Sequence, residues 1–303
     1  MDTFRRISIT LTISFFSLIS QAQNENTGFQ NLLIPTDAFY LGSAQSGSAL
    51  VNTSSSLFIS SFIHPDFVKN SDVTFSRYNY LADIQVNSLT SRLTLFDQPI
   101  QLGWQKLTAD DIELRDKPGS VQGITQAYWI TAGIGTTFHW SGADWGISYK
   151  YVLQKLYLTE NAANVFDISF SNKLFRDAGL MFISLQNIGF AEKISDQSVN
   201  LPLLLKTGWV LYDKELTSDM NFKWLNETSF IIPSAKFQSN NGLYLSAFRY
   251  FIAQIGYRLG HDTNLFSAGI GVVYQPFIVN YAFNYFKNGF SPTHAFTVSY
   301  RFN

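Results

Sequence analysis

The chain has 303 residues, a net charge of −1 and no cysteine. A charge near zero provides no basic field for nucleic acid, and the missing cysteines exclude disulfides and thiolate metal sites. Charged residues make up 14% of the chain, against roughly 25% in soluble domains, while aromatic residues reach 16%. This balance favours a surface that faces lipid over much of its area, with a large all-β sandwich as the alternative.

Residues 1–22 have the layout of a signal peptide. Two arginines near the start form a positive region, an apolar stretch follows at about 7–19, and small residues stand at 20–22. Cleavage is predicted between Ala22 and Gln23, and the protein is therefore expected to be exported. An N-terminal membrane anchor is the alternative, but the apolar stretch is shorter than the roughly 20 residues that a spanning helix needs.

The mature chain, residues 23–303, is predicted to form one domain. Within it, residues 23–67 are expected to hold a plug-like segment folded into a lumen, together with the first strand. Residues 31–52 are rich in small side chains and lack the alternation of a barrel wall. The remainder is expected to form the wall.

From residue 72 onward, runs of alternating apolar and polar side chains recur between polar or glycine-containing breaks. Such alternation places successive side chains on opposite faces of a strand. Several runs approach the ten residues that a tilted membrane strand needs. We place the runs at about 72–79, 83–95, 99–107, 126–139, 144–157, 164–172, 178–188, 202–212, 217–225, 228–237, 243–258, 265–275, 276–286 and 293–302.

The last run is typical of the closing strand of an outer-membrane barrel. Its apolar face consists of Phe296, Val298, Tyr300 and Phe302, and Asn303 follows. An alternating aromatic strand at the chain end is the kind of signal that barrel assembly machinery reads. We therefore expect an all-β protein, a transmembrane antiparallel β-barrel of about 14 strands, with an N-terminal segment folded into the lumen.

The polar face of the runs is expected to line the barrel interior. It is rich in Gly, Ser, Thr and Asn, and a charge on the lipid side would cost roughly 2–4 kcal/mol at mid-depth. A sandwich would turn its charges outward. The charged and amide residues on this face form either a polar pathway or a salt-bridged network that fills a closed barrel, and we favour the network. The lumen-facing candidates are Lys150, Asp167, Asp219, Asn221, Lys223, Arg258 and Arg301.

No pattern in the sequence carries a strong catalytic or metal-binding signal. The acidic stretch 109–117 lacks the glycine and glutamate spacing of an EF-hand calcium loop, so a solvated loop outside the membrane is favoured. The four histidines show no metal-ligand spacing. His139 and Ser141 are the nearest pair for a hydrolase, but they stand at a predicted strand end. We expect no enzymatic activity and no cofactor.

Four segments together resemble a known family. They are LLIPTDAFYLGSAQSGSA at 32–49, residues 142–170, LQNIGF with LPLLLKTGW at 185–209, and the closing stretch 266–302. Their order and spacing are similar to the PorV and PorQ outer-membrane proteins of Bacteroidota, relatives of the FadL transporter barrel. The chain departs from the family at His64-Pro65-Asp66, where Asn-Pro-Ala is usual, and at Asn280, where Asp is usual.

The resemblance implies an accessory role in type IX secretion or in the surface attachment of secreted proteins. The implied partners are secretion components or cargo, besides outer-membrane lipid and the barrel assembly machinery. A FadL-like channel for uptake of hydrophobic small molecules is the alternative, and a purely structural barrel is a third interpretation. A channel needs an apolar pocket near the N-terminal segment, and the same residues would otherwise serve as plug packing. They are Leu32, Leu33, Ile34, Phe39 and Tyr40.

Overall fold

The computed structural model describes residues 27–62, 71–115, 119–157, 159–174, 178–193, 198–212, 219–261 and 263–302. Fourteen antiparallel strands of these residues close into one barrel, in which every strand pairs with its sequence neighbours and β1 pairs with β14. The strands are β1 (Ser71–Asn79), β2 (Gln85–Leu95), β3 (Gln98–Leu114), β4 (Gly123–Trp140), β5 (Ala143–Leu156), β6 (Thr159–Leu174), β7 (Gly179–Ala191), β8 (Leu204–Tyr212), β9 (Met220–Ile231), β10 (Lys236–Ala247), β11 (Phe251–Leu259), β12 (Asn264–Tyr274), β13 (Phe277–Phe286) and β14 (Thr293–Phe302).

The predicted barrel is therefore confirmed, including its number of strands. The register of the closing pair runs from Ser71 opposite Phe302 to Tyr78 opposite Ala295. The signal peptide, its cleavage point at Ala22 and Gln23, the His64-Pro65-Asp66 turn and Asn303 lie outside the described residues.

The outer face of the wall is apolar and aromatic. Ile270 is 64% exposed and Phe251 is 56% exposed. Few large apolar side chains of a soluble protein are exposed to this extent. The inner face carries hydroxyl, amide and charged side chains, many of them fully buried. This inversion relative to a soluble protein, with apolar groups outside and polar groups within, is that of a transmembrane barrel.

Residues 27–62 fill the lumen and contribute no strand to the wall. They form a short helix, α1 (Ala38–Gly42), and single 3-10 turns at Gln30–Leu33, Ser48–Leu50 and Ser54–Phe58. We call residues 27–62 the plug. The first strand was expected within residues 23–67, but the wall begins at Ser71. No helix in the described part of the chain is long and apolar enough to span a membrane.

The prediction was wrong about the strand boundaries between residues 217 and 258. β9 continues to Ile231, because the polar residues at 226–228 keep the alternation instead of breaking it. The predicted run 243–258 is two strands, since β10 turns into β11 at Phe248 and Arg249, both with positive φ. Neither residue is a glycine or proline, so the turn left no compositional signal.

The acidic stretch was also misassigned. Residues 109–114 are the end of β3, not a loop, and they pair with β4 across a register shift between Ala109 and Ile112. Glu113 forms an exposed ion pair with Arg115 at 2.5 Å. The end of the barrel where β1 begins at Ser71 and β14 ends at Phe302 holds the β1–β14 termini. At the opposite end, β3 and β4 thus extend further than the other strands.

A cationic side chain at the centre of the outer face tests the membrane assignment. Val298 is 40% exposed and stands between Phe75 of β1 and Val279 of β13. Val298→Arg is expected to lower the free energy of unfolding in lipid vesicles by about 2–4 kcal/mol. Tyr274→Arg, at the end of β12, serves as the control and is expected to cost about 0–1 kcal/mol. Equal losses, measured by denaturant titration, would contradict a lipid-facing surface.

Candidate functional site in the plugged lumen

Three buried ion pairs on the inner wall hold the plug. The first joins Asp72 of β1 to Arg92 of β2 at 2.5 Å, and both side chains are fully buried. The Ser54 backbone N–H donates to the Asp72 carboxylate over 2.8 Å. Arg92 donates to the carbonyl oxygen of Asn52 over 3.1 Å. The pair is thus completed by two backbone groups of the plug.

The second ion pair joins Lys150 of β5 to Asp167 of β6 at 2.6 Å. The Ser61 hydroxyl donates to Asp167 over 3.0 Å, and the Asn187 backbone N–H donates to its other oxygen over 2.9 Å. Asp167 sits at a β-bulge between β6 and β7, where the register shifts between Phe166 and Ile168. Because of the bulge, the Asn187 N–H does not pair with the neighbouring strand, so it can donate a hydrogen bond to the carboxylate.

The third ion pair joins Lys206 of β8 to Glu227 of β9 at 3.4 Å. The Tyr40 hydroxyl of α1 lies between them, donating to Glu227 over 2.5 Å and accepting from Lys206 over 3.0 Å. Lys206 also donates to the Ile59 carbonyl oxygen over 3.1 Å. Buried charges require such additional hydrogen bonds, because ion pairing alone rarely offsets their desolvation.

Helix α1 is fixed at its start by Asp37. One carboxylate oxygen accepts from the backbone N–H groups of Phe39 at 2.7 Å and Tyr40 at 3.2 Å, an N-terminal cap. The other oxygen accepts from the Ser55 hydroxyl at 2.6 Å. The Ala38 N–H donates to Thr297 of β14 over 2.8 Å. One carboxylate therefore ties two parts of the plug together beside the β1–β14 seam.

Glycines on the inner wall allow the plug backbone to approach closely. A Cβ at Gly146 of β5 would lie 2.0 Å from the Ser61 carbonyl oxygen. A Cβ at Gly269 of β12 would lie 2.9 Å from the Cα of Gly42 at the end of α1. Real Cβ atoms do not approach other atoms so closely, so side chains at these positions would displace the plug.

The plug lies between two lumenal cavities. The cavity near the β1–β14 termini, which we call the terminus-end cavity, has a volume of about 650 Å³. The cavity at the opposite end, the loop-end cavity, has about 520 Å³. Adjacent residues of α1 face different cavities, since Phe39 lines the first and Tyr40 and Leu41 line the second. The five-residue helix is part of the partition.

The terminus-end cavity combines apolar and cationic lining. Lys223 of β9 stands in register between Tyr212 of β8 and Tyr244 of β10. Its ammonium nitrogen lies 4.9 Å and 5.5 Å from the two ring centroids, within the range of cation–π attraction. The apolar lining includes Phe39, Leu50, Val51, Leu180, Ile252 and Ile278, and the other basic residues are Lys173, Arg249 and Arg301.

The loop-end cavity is more polar. Arg258 of β11 is buried there and donates to the Ala44 carbonyl oxygen over 3.1 Å. The Lys206–Glu227 pair borders the same space. The apolar residues that the sequence offered as a pocket divide between the cavities: Leu32, Leu33, Ile34 and Tyr40 line this one and Phe39 lines the other.

The structure places the predicted lumen-facing residues in four settings. Lys150 and Asp167 form one ion pair. Asn221, Lys223 and Arg301 line the terminus-end cavity, and Arg258 lines the loop-end cavity. Asp219 is exposed in the turn that precedes β9 and belongs to neither cavity.

Sequence reasoning missed four charged residues of the plug contacts: Asp72, Arg92, Lys206 and Glu227. Each occupies the polar face of its strand, so alternation was a usable signal for the first three. Glu227 was hidden because residues 226–227 were interpreted as a break between strands. No group of three or more His, Cys, Asp or Glu within the described residues could hold a metal ion. His139 pairs instead with Asp144 at 2.9 Å on the rim.

No protein-family model matches the chain, and no curated protein matches it. Among solved structures, the chain is similar to the CymD monoaromatic hydrocarbon channel, with a TM-score of 0.56 and 8% identity over 89% of this chain and 98% of that chain. The toluene transporter TodX of P. putida gives a TM-score of 0.45 with 8% identity, covering 77% of this chain and 88% of TodX. Omp33 of Acinetobacter baumannii gives 0.46 with 6% identity, covering 77% of this chain and 98% of Omp33.

The likeness to CymD shows the fold and no more, because so few residues are identical. The chain has the closed antiparallel fold of an outer-membrane β-barrel, with a plug in its lumen.

Removal of one partner of a plug-holding ion pair is expected to be costly. Arg92→Met leaves the Asp72 carboxylate buried without its counter-ion, and we expect a loss of about 3–5 kcal/mol in the free energy of unfolding. The double variant Asp72→Asn with Arg92→Met should recover part of this loss, because the buried carboxylate is removed together with its ion-pair partner. The half-buried Arg301, which faces Asp72 across the β1–β14 seam, keeps its charge. The assignment would be contradicted if denaturant titration showed that the double variant loses as much free energy of unfolding as Arg92→Met alone, or more.

A side chain at Gly146 is expected to displace the plug without opening the barrel. In Gly146→Val, the new carbon atoms would overlap the Ser61 carbonyl oxygen. We expect limited proteolysis to cut within residues 27–62, while heat-modifiable gel migration shows a closed barrel. Ala132→Val, on the outer face of β4, adds two methyl groups against lipid and is expected to leave the plug protected. Equal protection in both variants would show that the close contact is unimportant.

Proposed function

We propose that the protein is an outer-membrane channel for small hydrophobic molecules, and that displacement of the plug opens the path between its two cavities. The observation that carries this proposal is the position of the plug between two lumenal cavities, of which the terminus-end cavity has a largely apolar lining. The CymD fold supports it, because a barrel of this type is compatible with transport. The predicted signal peptide and the aromatic outer face support the outer-membrane location.

The arrangement of α1 supports a moving partition. Phe39 and Tyr40 are neighbours on one short helix, yet they line opposite cavities. A helix of five residues has little stability of its own, and its position depends on Asp37, on Thr297 and on the Tyr40 contacts. A modest displacement of this segment would join the cavities.

A disulfide that fastens the plug to the wall tests whether the plug must move. The Ser54 hydroxyl oxygen lies 2.9 Å from Thr90 Oγ1 of β2. Since the chain has no cysteine, Ser54→Cys with Thr90→Cys creates a single possible pair. In whole cells of a deletion strain, we expect the oxidised variant to lose uptake of radiolabelled toluene or oleate, and dithiothreitol to restore it.

The matched control is Ser54→Cys alone, which is expected to transport with or without the reductant. Equal uptake by the oxidised and the reduced double variant would refute plug displacement. Undiminished growth of the deletion strain on both aromatic hydrocarbons and fatty acids, with undiminished uptake, would refute the channel itself.

The second candidate is an accessory role of the PorV or PorQ type in type IX secretion or surface attachment of secreted proteins. The sequence resemblance supports it, and so does a plug held by three buried ion pairs, because a lumen kept filled suits a protein that acts through its partners. Affinity purification from native outer membranes distinguishes the candidates. Recovery of secretion components or cargo would favour this role, whereas a protein recovered alone would count heavily against it.

A further inference from the structure

Two basic side chains flank an asparagine on the outer face of the wall. Arg77 of β1 lies in register with Asn87 of β2, and Asn87 lies in register with Lys106 of β3. All three belong to the outward-facing set of their strands, opposite the buried residues of the lumen. Within the described part of the chain, neither Arg77 nor Lys106 has an acidic partner.

The spacing of these three residues suits one phosphate group. Neighbouring strands lie about 4.8 Å apart, so the backbones of Arg77 and Lys106 are separated by roughly 10 Å, with Asn87 between them. Both basic side chains are long and flexible enough to turn toward a common ligand. A guanidinium, an ammonium and an amide N–H₂ are all donors, which a phosphate can accept at once.

The next outward-facing row, two residues nearer the barrel termini, is apolar. It consists of Phe75, Leu89 and Trp104, which are directly paired with one another and are 47%, 48% and 39% exposed. A cationic row thus borders an apolar row on the same three strands. A phospholipid has the matching order, with a charged headgroup next to apolar acyl chains.

Exposed acids lie beyond this row, at Asp83 in the turn between β1 and β2 and at Asp110 of β3. The outward faces of β1 and β2, and of β3 up to Thr108, carry no Asp or Glu in the described residues. Lys155 of β5 differs, because it faces Glu160 of β6 in register and lies 5.8 Å from the Tyr128 ring centroid. Lys155 already has partners on the protein, whereas the Arg77–Lys106 row does not.

We propose that Arg77, Asn87 and Lys106 bind the headgroup phosphate of an anionic phospholipid, whose acyl chains lie on Phe75, Leu89 and Trp104. The site is on the outer face of the wall, in the loop-end half of the barrel. It is independent of the lumen, the plug and the transport of any molecule.

Native mass spectrometry of the full chain, extracted from vesicles with equal phosphatidylglycerol and phosphatidylcholine, tests the site. We expect the wild-type protein to retain phosphatidylglycerol. Arg77→Gln is expected to lower its affinity about fivefold, and Arg77→Gln with Lys106→Gln roughly thirtyfold. The conservative pair Arg77→Lys with Lys106→Arg should retain the lipid, and Lys155→Gln, which removes one outward charge elsewhere, should have no effect.

Three outcomes would overturn the proposal. Equal retention of phosphatidylglycerol by the double Gln variant and the wild type would show that these residues are not the site. Loss of the lipid in Lys155→Gln to the same extent would indicate general charge attraction. Displacement of the lipid by millimolar inorganic phosphate would indicate a site for the free anion. Heat-modifiable migration of every variant verifies that the barrel is closed.

Discussion

Every backbone N–H and C=O group needs a hydrogen-bond partner inside the protein, because lipid provides none. This need governs the structure. A sheet of fourteen strands meets that need only if its first and last strands pair, and β1 and β14 do so over eight residue pairs from Ser71 to Tyr78. Closure then determines the rest. It leaves one face of every strand toward lipid and encloses the other in a lumen too wide for the wall side chains alone to fill.

The filling of that lumen explains the unusual charge distribution. A polar inner face cannot pack like a hydrophobic core, so its buried charges need counter-charges, hydrogen bonds or both. The wall supplies Asp72 with Arg92, Lys150 with Asp167, and Lys206 with Glu227. The plug supplies the remaining donors and acceptors from its backbone, serines and Tyr40. Plug and wall are therefore parts of one polar network, and neither is satisfied without the other.

Alternation in the sequence was sufficient to predict the barrel and the inward direction of Lys150, because a period of two is dictated by strand geometry itself. The count of strands agreed because the false break inside β9 offset the merging of β10 with β11. Strand ends were harder. The turn at Phe248 and Arg249 uses positive φ angles at residues with no turn preference, and Glu227 looked like a break because it is polar within a strand. The pairing of Lys206 with Glu227 through Tyr40 could not be predicted, since it joins residues of the plug and two strands by tertiary geometry alone.

The contacts of Asp37 and its neighbours have a consequence for the order in which the chain acquires its structure. The Ala38 N–H binds Thr297, 259 residues away in sequence, while Ser54 binds Asp72 only 18 residues away. The two halves of the plug thus differ greatly in contact order. Ser54 can find its partners as soon as β1 and β2 pair, and Ile59 and Ser61 can do so once β5 to β8 have formed. The site that holds α1 exists only after β14 has joined β1. The partition between the cavities is therefore expected to be the last part of the molecule to form, and the lumen is open to water until it does.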